Sequence, residues 1–267
     1  MKISVLTPSF NSVKYIRRSI ESVLNQGYSD FEHIIVDGGS TDGTIDILKE
    51  YPHLKWISEK DKGQSDAMNK AFDMSLGDII VYLNADDYFF ANTFCLVVNW
   101  FNEFSEADMI VGNILYEYAD ETGKINNSFV YIPTVKLPKN YFPFRFPSNS
   151  LAYFYKRSLQ IKVGKFHVDN HYAMDLAFIL RAFQIGCIVK VEHIFGSFWN
   201  DGSNKTSIAD SSKHIFSTII LHCQQYDKKK NLLFRIVFFY YIKLKPLMKK
   251  FKTLLKRFSK IQRDSFL

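Results

Sequence analysis

The chain has 267 residues, 47% hydrophobic and 23% charged, which excludes a disordered polypeptide and fits one α/β domain with an appendage. Its formal net charge of +7 is unevenly spread: from Lys228 onward there are 13 Lys/Arg and one acidic residue, Asp264, a local +12, so the first 227 residues hold 21 basic and 26 acidic residues, or −5. A mildly acidic body with a basic tail points to an anionic surface for the tail alone, and no nucleic-acid-binding signature accompanies it.

Residues 3–7 are a short apolar run of the kind buried in a parallel sheet. Residues 13–26 carry Val13, Ile16, Ile20, Val23 and Leu24 at helical spacing and end at Gly27. Strands are expected over 33–36, 54–58 and 78–83, and helices over 44–51, stopping before Pro52, and over 64–74. This βαβ alternation predicts a mostly parallel sheet with helices on both faces, where ligands bind outside the carboxyl ends of the strands.

The second half is less regular. Residues 109–116 and 128–132 read as antiparallel strands, 141–147 as an aromatic, proline-punctuated loop, 176–183 as a helix, 188–191 as a strand and 211–226 as a helix. Cys95, Cys187 and Cys223 are far apart and form no CxxC pair, so buried, reduced thiols of a cytosolic protein are expected. The N-terminal apolar run stops too soon for a signal peptide.

The loops after the strands carry the polar chemistry. The first strand empties into Thr7-Pro8-Ser9-Phe10-Asn11, and the second into Asp37-Gly38-Gly39-Ser40-Thr41-Asp42-Gly43. Neither is a dinucleotide or P-loop fingerprint. Asp37 reads either as an acceptor for a base or ribose or as a turn-forming Asx residue. The fourth strand ends in Asn84-Ala85-Asp86-Asp87. Hard oxygen ligands there suit Mg2+ or Mn2+, and adjacent carboxylates favour a nearby cation, although an N-cap is the simpler use.

These loops, with Ser58-Glu59-Lys60-Asp61-Lys62-Gly63 and Asp66-Ala67-Met68-Asn69-Lys70-Ala71 between them, resemble in order and spacing the family 2 glycosyltransferases of the GT-A fold. The likeness is close over residues 1–115. It resumes between 148 and 186 with Phe154-Tyr155-Lys156-Arg157, Gly164-Lys165-Phe166 and Ala173-Met174-Asp175-Leu176. The resemblance implies a Rossmann-like nucleotide-diphospho-sugar transferase fold over 1–226, with a nucleotide-sugar half (1–115), an acceptor half (116–226) and a helical tail over 227–267. It further implies that Thr7, Pro8 and Ser9 line the nucleotide and that Asp37 binds the pyrimidine. Asp61 and Lys62 would border nucleotide and sugar, with Asn69 capping that loop. Asn84, Ala85 and Asp86 take the DxD position, leaving Asp86 as principal metal ligand supported by Asp87. Asp175 falls at the catalytic base, six residues before Arg181.

The activity so implied is an inverting transfer from a UDP-sugar, with Mn2+ or Mg2+, to a growing polysaccharide or lipid-linked acceptor. Alternatives are a degenerate nucleotide-sugar-binding or membrane scaffold module and a nucleotidyltransferase; the latter needs a Gly-rich basic loop that Ser9-Phe10-Asn11 does not provide. A polar Gly/Ser loop follows at 198–207, where Lys205 could face a diphosphate. His171 and His193 read as ordinary surface and structural histidines. No polar residue of 147–150 stands out for acceptor contacts. In the tail, Leu247, Phe251, Leu254, Leu255, Phe258 and Ile261 alternate with lysines and arginines. Such a basic amphipathic helix lies on anionic lipid or packs on the protein body, and each cation near lipid adds about 1 kcal/mol. Peripheral contact through 232–263 with the inner face of the cell membrane, from the cytoplasm, is therefore expected.

Overall fold

In the computed structural model, β1 (Ile3–Ser9), β2 (Phe31–Asp37), β3 (Lys55–Ser58) and β4 (Ile79–Tyr82) lie in the order β3-β2-β1-β4, all parallel. Every residue of β1 and β4 is buried, as a parallel sheet covered on both faces requires. The crossovers are α1 (Ile16–Leu24), α2 (Thr44–Lys49) and α3 (Gln64–Met74). Ile16 and Ile20 of α1 join Leu48, Ile35 and Leu54 in a small cluster, whereas α3 sends Ala67, Met68, Ala71 and Phe72 into the main core. The third helix has the bounds expected from its pattern. The first starts three residues late, because Tyr15 and Ile16 both donate backbone N–H bonds to the Ser12 carbonyl, closing a turn first.

The second half comprises β5 (Tyr88–Phe89), α4 (Thr93–Glu103), β6 (Met109–Ala119), β7 (Ile125–Tyr131), a 3-10 turn at Ser150–Ala152, β8 (Tyr153–Lys156), α5 (Arg157–Val163), α6 (Met174–Ile185) and β9 (Ile188–Asn200). It extends the sheet as β4-β8-β6-β9-β5, with β7 paired to β6, giving one mixed nine-stranded sheet among the described residues. β8 is antiparallel to both β4 and β6 and so joins the two halves. The expected β6–β7 antiparallel pair is present and longer than its apolar run. β9 runs nine residues past the expected stop, through Gly196, and pairs along β6 with shifts of register. A Cβ at Gly196 would lie 2.2 Å from the Tyr88 carbonyl oxygen, so only glycine lets β5 cross there.

Four of these elements, β5, α4, β8 and α5, have no counterpart in the sequence expectation. α4 is rich in β-branched and aromatic residues of modest helix propensity, and burial of Phe94, Val97 and Phe101 decides it. Tyr82, Phe94, Tyr153, Phe154, Tyr155, Phe178 and Phe195 are all fully buried, and each such side chain contributes roughly 1.5–3 kcal/mol.

The structure describes residues 1–135, 147, 149–170, 173–203 and 218. The chain divides into two units, Met1–Ile215 and Phe216–Leu267, and all the elements above belong to the first. The expected loop at 141–147 (Pro147 apart), the helix at 211–226 (Thr218 apart), the boundary at 226/227 and the tail with its 232–263 membrane segment lie outside the described residues. So do His171, Lys205 and Cys223. Among the described residues, no helix is long and apolar enough to cross a membrane.

Candidate active site

The parallel strands bring the polar loops to one edge. Ser9 stands beside Asp37 in register, and Asp37 beside Ser58. Thr7, Pro8 and Ser9 are all buried. The Thr7 hydroxyl lies 2.9 Å from Nε2 of fully buried His33, whose pKa burial, reinforced by His53, pulls down to about 3. The Thr7 hydroxyl is thus engaged within the sheet. Ser9 Oγ is buried without a hydrogen-bond partner among the described residues, while the Ser9 carbonyl accepts from Gly38 N.

Asp37 is fully buried. Its Oδ2 accepts from Gly39 N (3.0 Å), Ser40 N (2.8 Å) and Ser58 Oγ (2.8 Å), and Oδ1 from Ser40 Oγ (2.5 Å). Of its two sequence readings, the turn-forming one describes these contacts. The glycine beside it has a definite reason: a Cβ on Gly38 would come within 2.8 Å of Asp61 Oδ2. Asp61 also accepts from Gly63 N, and Asp66 accepts from Lys62 N, which shapes the entry to α3. The Lys62 side chain is exposed. Phe10, 63% exposed and packed by Gly38, offers an aromatic face at this rim; a single phenylalanine in a polar loop carried no signal of that in the sequence.

At the β4 exit the four residues separate. Asn84 Oδ1 accepts from Gln64 Nε2 (3.1 Å), and its Nδ2 donates to Asp87 (3.0 Å). Ala85 is buried in the small cluster under α1. Asp87 is fully buried; its Oδ2 also accepts from Asn149 Nδ2 (2.7 Å) and its Oδ1 from Trp199 N (3.1 Å). Burial, and then the Asp86 charge, push its pKa well up, partly offset by these donors. The carboxylate expected to support a metal is thus enclosed by protein donors, leaving half-buried Asp86 as the acidic side chain of the pair that reaches the surface. Asn149, within the segment 147–150 where no acceptor contact was read, is buried and used internally. Its side chain also caps the 3-10 turn through Leu151 N.

Asn69 is engaged elsewhere than expected. Its amide donates to the Phe166 carbonyl and accepts from Phe166 N, both at 2.9 Å, tying α3 to the segment before α6. Asp175 sits half-buried in the first turn of α6. Burial, and then the Asp175 charge, push the Tyr153 phenol well above its ordinary pKa. The Asp201 side chain is 5% exposed and takes Lys14 Nζ (2.6 Å), the Tyr15 hydroxyl and Ser203 Oγ (2.6 Å). Burial opposes its ionisation, but these partners hold its pKa well below the usual carboxylate range, pinning the loop after β9 to the start of α1. His193 packs against Trp100 and Phe195, as a structural histidine.

Among the described residues, no group of three His, Cys, Asp or Glu side chains forms a metal cage. One accessible carboxylate still fits Mg2+ or Mn2+, which keep several open positions for water and phosphate oxygens.

The family model for Glycosyl transferase family 2 matches residues 4–176. An uncharacterized glycosyltransferase of Rickettsia bellii (strain RML369-C) is 32% identical over 126 residues, which are 46% of this chain and only 18% of that relative's length. Staphylococcus aureus TarS 1-349 in complex with UDP superposes with a TM-score of 0.62 at 19% identity, covering 91% of this chain and 72% of that one. The mannosyltransferase PcManGT of Pyrobaculum calidifontis, in complex with GDP-Man and Mn2+, gives 0.57 at 18% identity over 84% and 63%. These likenesses make the fold GT-A. With its strand-exit loops inside a match that runs from β1 into α6, the chain belongs to glycosyl transferase family 2.

Proposed function

We propose that this chain moves a sugar from a UDP-sugar to a hydroxyl of a saccharide or polyprenyl-linked acceptor, with inversion at the anomeric carbon and with Mn2+ or Mg2+ at Asp86. The observation that carries the reading is the meeting of Ser9, Asp37, Asp61 and Asp86 loops at one sheet edge, with Asp175 on the helix beyond β8. The UDP complex of TarS supports the donor, and the Mn2+ complex of PcManGT supports the cation. Contact of 232–263 with anionic membrane belongs to the same proposal and rests on its sequence pattern.

When bound, the cation supplies positive charge to the departing diphosphate. The chain's own residues do the rest. Phe10 offers a face to the base, and the Asp37 network holds the loop that encloses it. Gln64 and Asp87 keep Asn84, and with it the Asp86 turn, in one conformation. Asp175 takes the proton of the acceptor hydroxyl as that oxygen bonds to the anomeric carbon and the carbon–phosphate-oxygen bond breaks, the electron pair leaving with the diphosphate. Thermal melting with a panel of UDP- and GDP-sugars, with and without Mn2+, tests this: a UDP-sugar with Mn2+ should stabilise most. A flat panel sinks the proposal. Asp86→Ala should remove the Mn2+ dependence of UDP binding; undiminished dependence would take Asp86 out of the site.

A further inference from the structure

Neighbouring arginines on α1 have different surroundings. Arg17 is exposed and paired with Glu50 at 2.8 Å, an ordinary surface contact of small net value. Arg18 is half-buried and makes no ion pair among the described residues. Its guanidinium lies 4.5 Å from the Tyr88 ring centroid and 4.4 Å from that of Trp199, and its Nη2 donates to the Asp86 carbonyl at 2.9 Å. A flat, weakly hydrated cation suits such a place between rings, where lysine would not.

The rings are themselves held. The Tyr88 hydroxyl donates to buried Glu117, which also accepts from Ser197 Oγ. Trp199 uses its backbone N–H on Asp87 Oδ1. The two aspartates are therefore held by two different elements, Asp86 by its carbonyl from α1 and Asp87 by its carboxylate from β9.

We infer that Arg18, clamped between Tyr88 and Trp199, is a positioning residue that sets the backbone from which Asp86 presents its carboxylate. This rests on the reading of Asp86 as the cation ligand. Arg18 acts through that backbone, so its removal loosens cation binding and leaves nucleotide binding without cation alone. The clamp also puts the Trp199 indole in the same unit, which provides a spectroscopic signal.

The test uses the full chain and measures Mn2+ affinity of the UDP complex by the electron paramagnetic resonance of free Mn2+, with UDP affinity in chelator by calorimetry. Arg18→Met should lower Mn2+ affinity about tenfold, the low end of what losing an outer support costs a metal site. Metal-free UDP affinity should stay within about twofold, on the same grounds. Arg18→Lys, which keeps the charge and a carbonyl donor but not the flat stack, should fall between. Indole emission should shift in Arg18→Met and not in Arg17→Met. Parent-like Mn2+ affinity in Arg18→Met overturns the inference, as does an equal loss of metal-free UDP binding. Should Arg18→Met fail to fold, Arg18→Lys and Arg18→Gln are judged on the same ratio of affinities. Asp86→Asn separates the two readings: if it loses Mn2+ coupling while Arg18→Met keeps it, only the Arg18 role fails. If Asp86→Asn itself keeps the coupling, the metal assignment fails and the Arg18 role with it.

Discussion

Asn149 donates a 2.7 Å hydrogen bond to the buried carboxylate of Asp87, 62 positions earlier. That bond ties the turn after β4 to the segment that opens β8. With Trp199 N on the other oxygen, Asp87 becomes the junction of three chain segments around the candidate cation site, while its neighbour Asp86 stays half-buried.

Asp87→Ala should therefore act on stability. Three donors, from Asn84, Asn149 and Trp199, lose their acceptor, at about 1–3 kcal/mol for unsatisfied buried groups. A chain of this size should melt roughly 2–12 °C lower. Asp87→Asn should not rescue fully, because its NH2 must face another donor. Asp86→Ala should melt within about 2 °C of the parent, as surface changes usually do. Calorimetric melting of the three variants checks this, and equal melting of Asp87→Ala and parent would return Asp87 to the role of ligand.

For Asp37 the expected effect is twofold. Its carboxylate organises residues 39–40 and Ser58, so Asp37→Ala should cost about 1–3 kcal/mol of unfolding free energy and weaken UDP binding by a similar amount. Urea unfolding and calorimetric titration with UDP separate the two. Lost affinity with unchanged stability would mark a direct contact with the base.

Asp175→Asn should leave donor and cation binding nearly unchanged. The amide keeps the shape but takes up no proton at neutral pH, so turnover should fall about 10²–10⁴-fold, in kcat more than in donor KM. Retained turnover would place the base elsewhere, with Asp169 and Asp201 the next to test. Collapse of donor binding would make Asp175 a structural residue.

His33 gives an acid-sensitive stability term. Its folded pKa of about 3, set by burial and then by His53, lies below the ordinary 6.5 or so. Between those values the unfolded chain binds more protons, so stability falls as pH drops. The loss attributable to His33 is about 2 kcal/mol at pH 5 relative to neutral pH. His33→Gln should be less stable at pH 7.5, having lost the fitted partner of Thr7, but its stability should change less between pH 7 and 5. Parallel profiles for the two proteins would discount His33.

Glycines, apolar runs and strand-exit loops are local features, and the physics that reads them acts within a few residues. The parallel direction of β1 to β4, the bounds of α3 and the gathering of the Asp37, Asp61 and Asp86 loops at the strand ends were legible in the sequence for that reason, whereas the strand order was not. What adjacent residues do with identical side chains was not. Asp87 is set apart from Asp86 by the donors that reach it from Asn149 and Trp199, and burial is a property of those distant segments. Arg17 and Arg18 are indistinguishable as letters on an amphipathic helix, until Tyr88 and Trp199 close on one of them. Asn69 sits in a motif that points to the nucleotide, yet both ends of its amide are used by the Phe166 backbone, 97 positions away. Desolvation and hydrogen-bond pairing depend on which segments meet in space, and only the tertiary structure decides that.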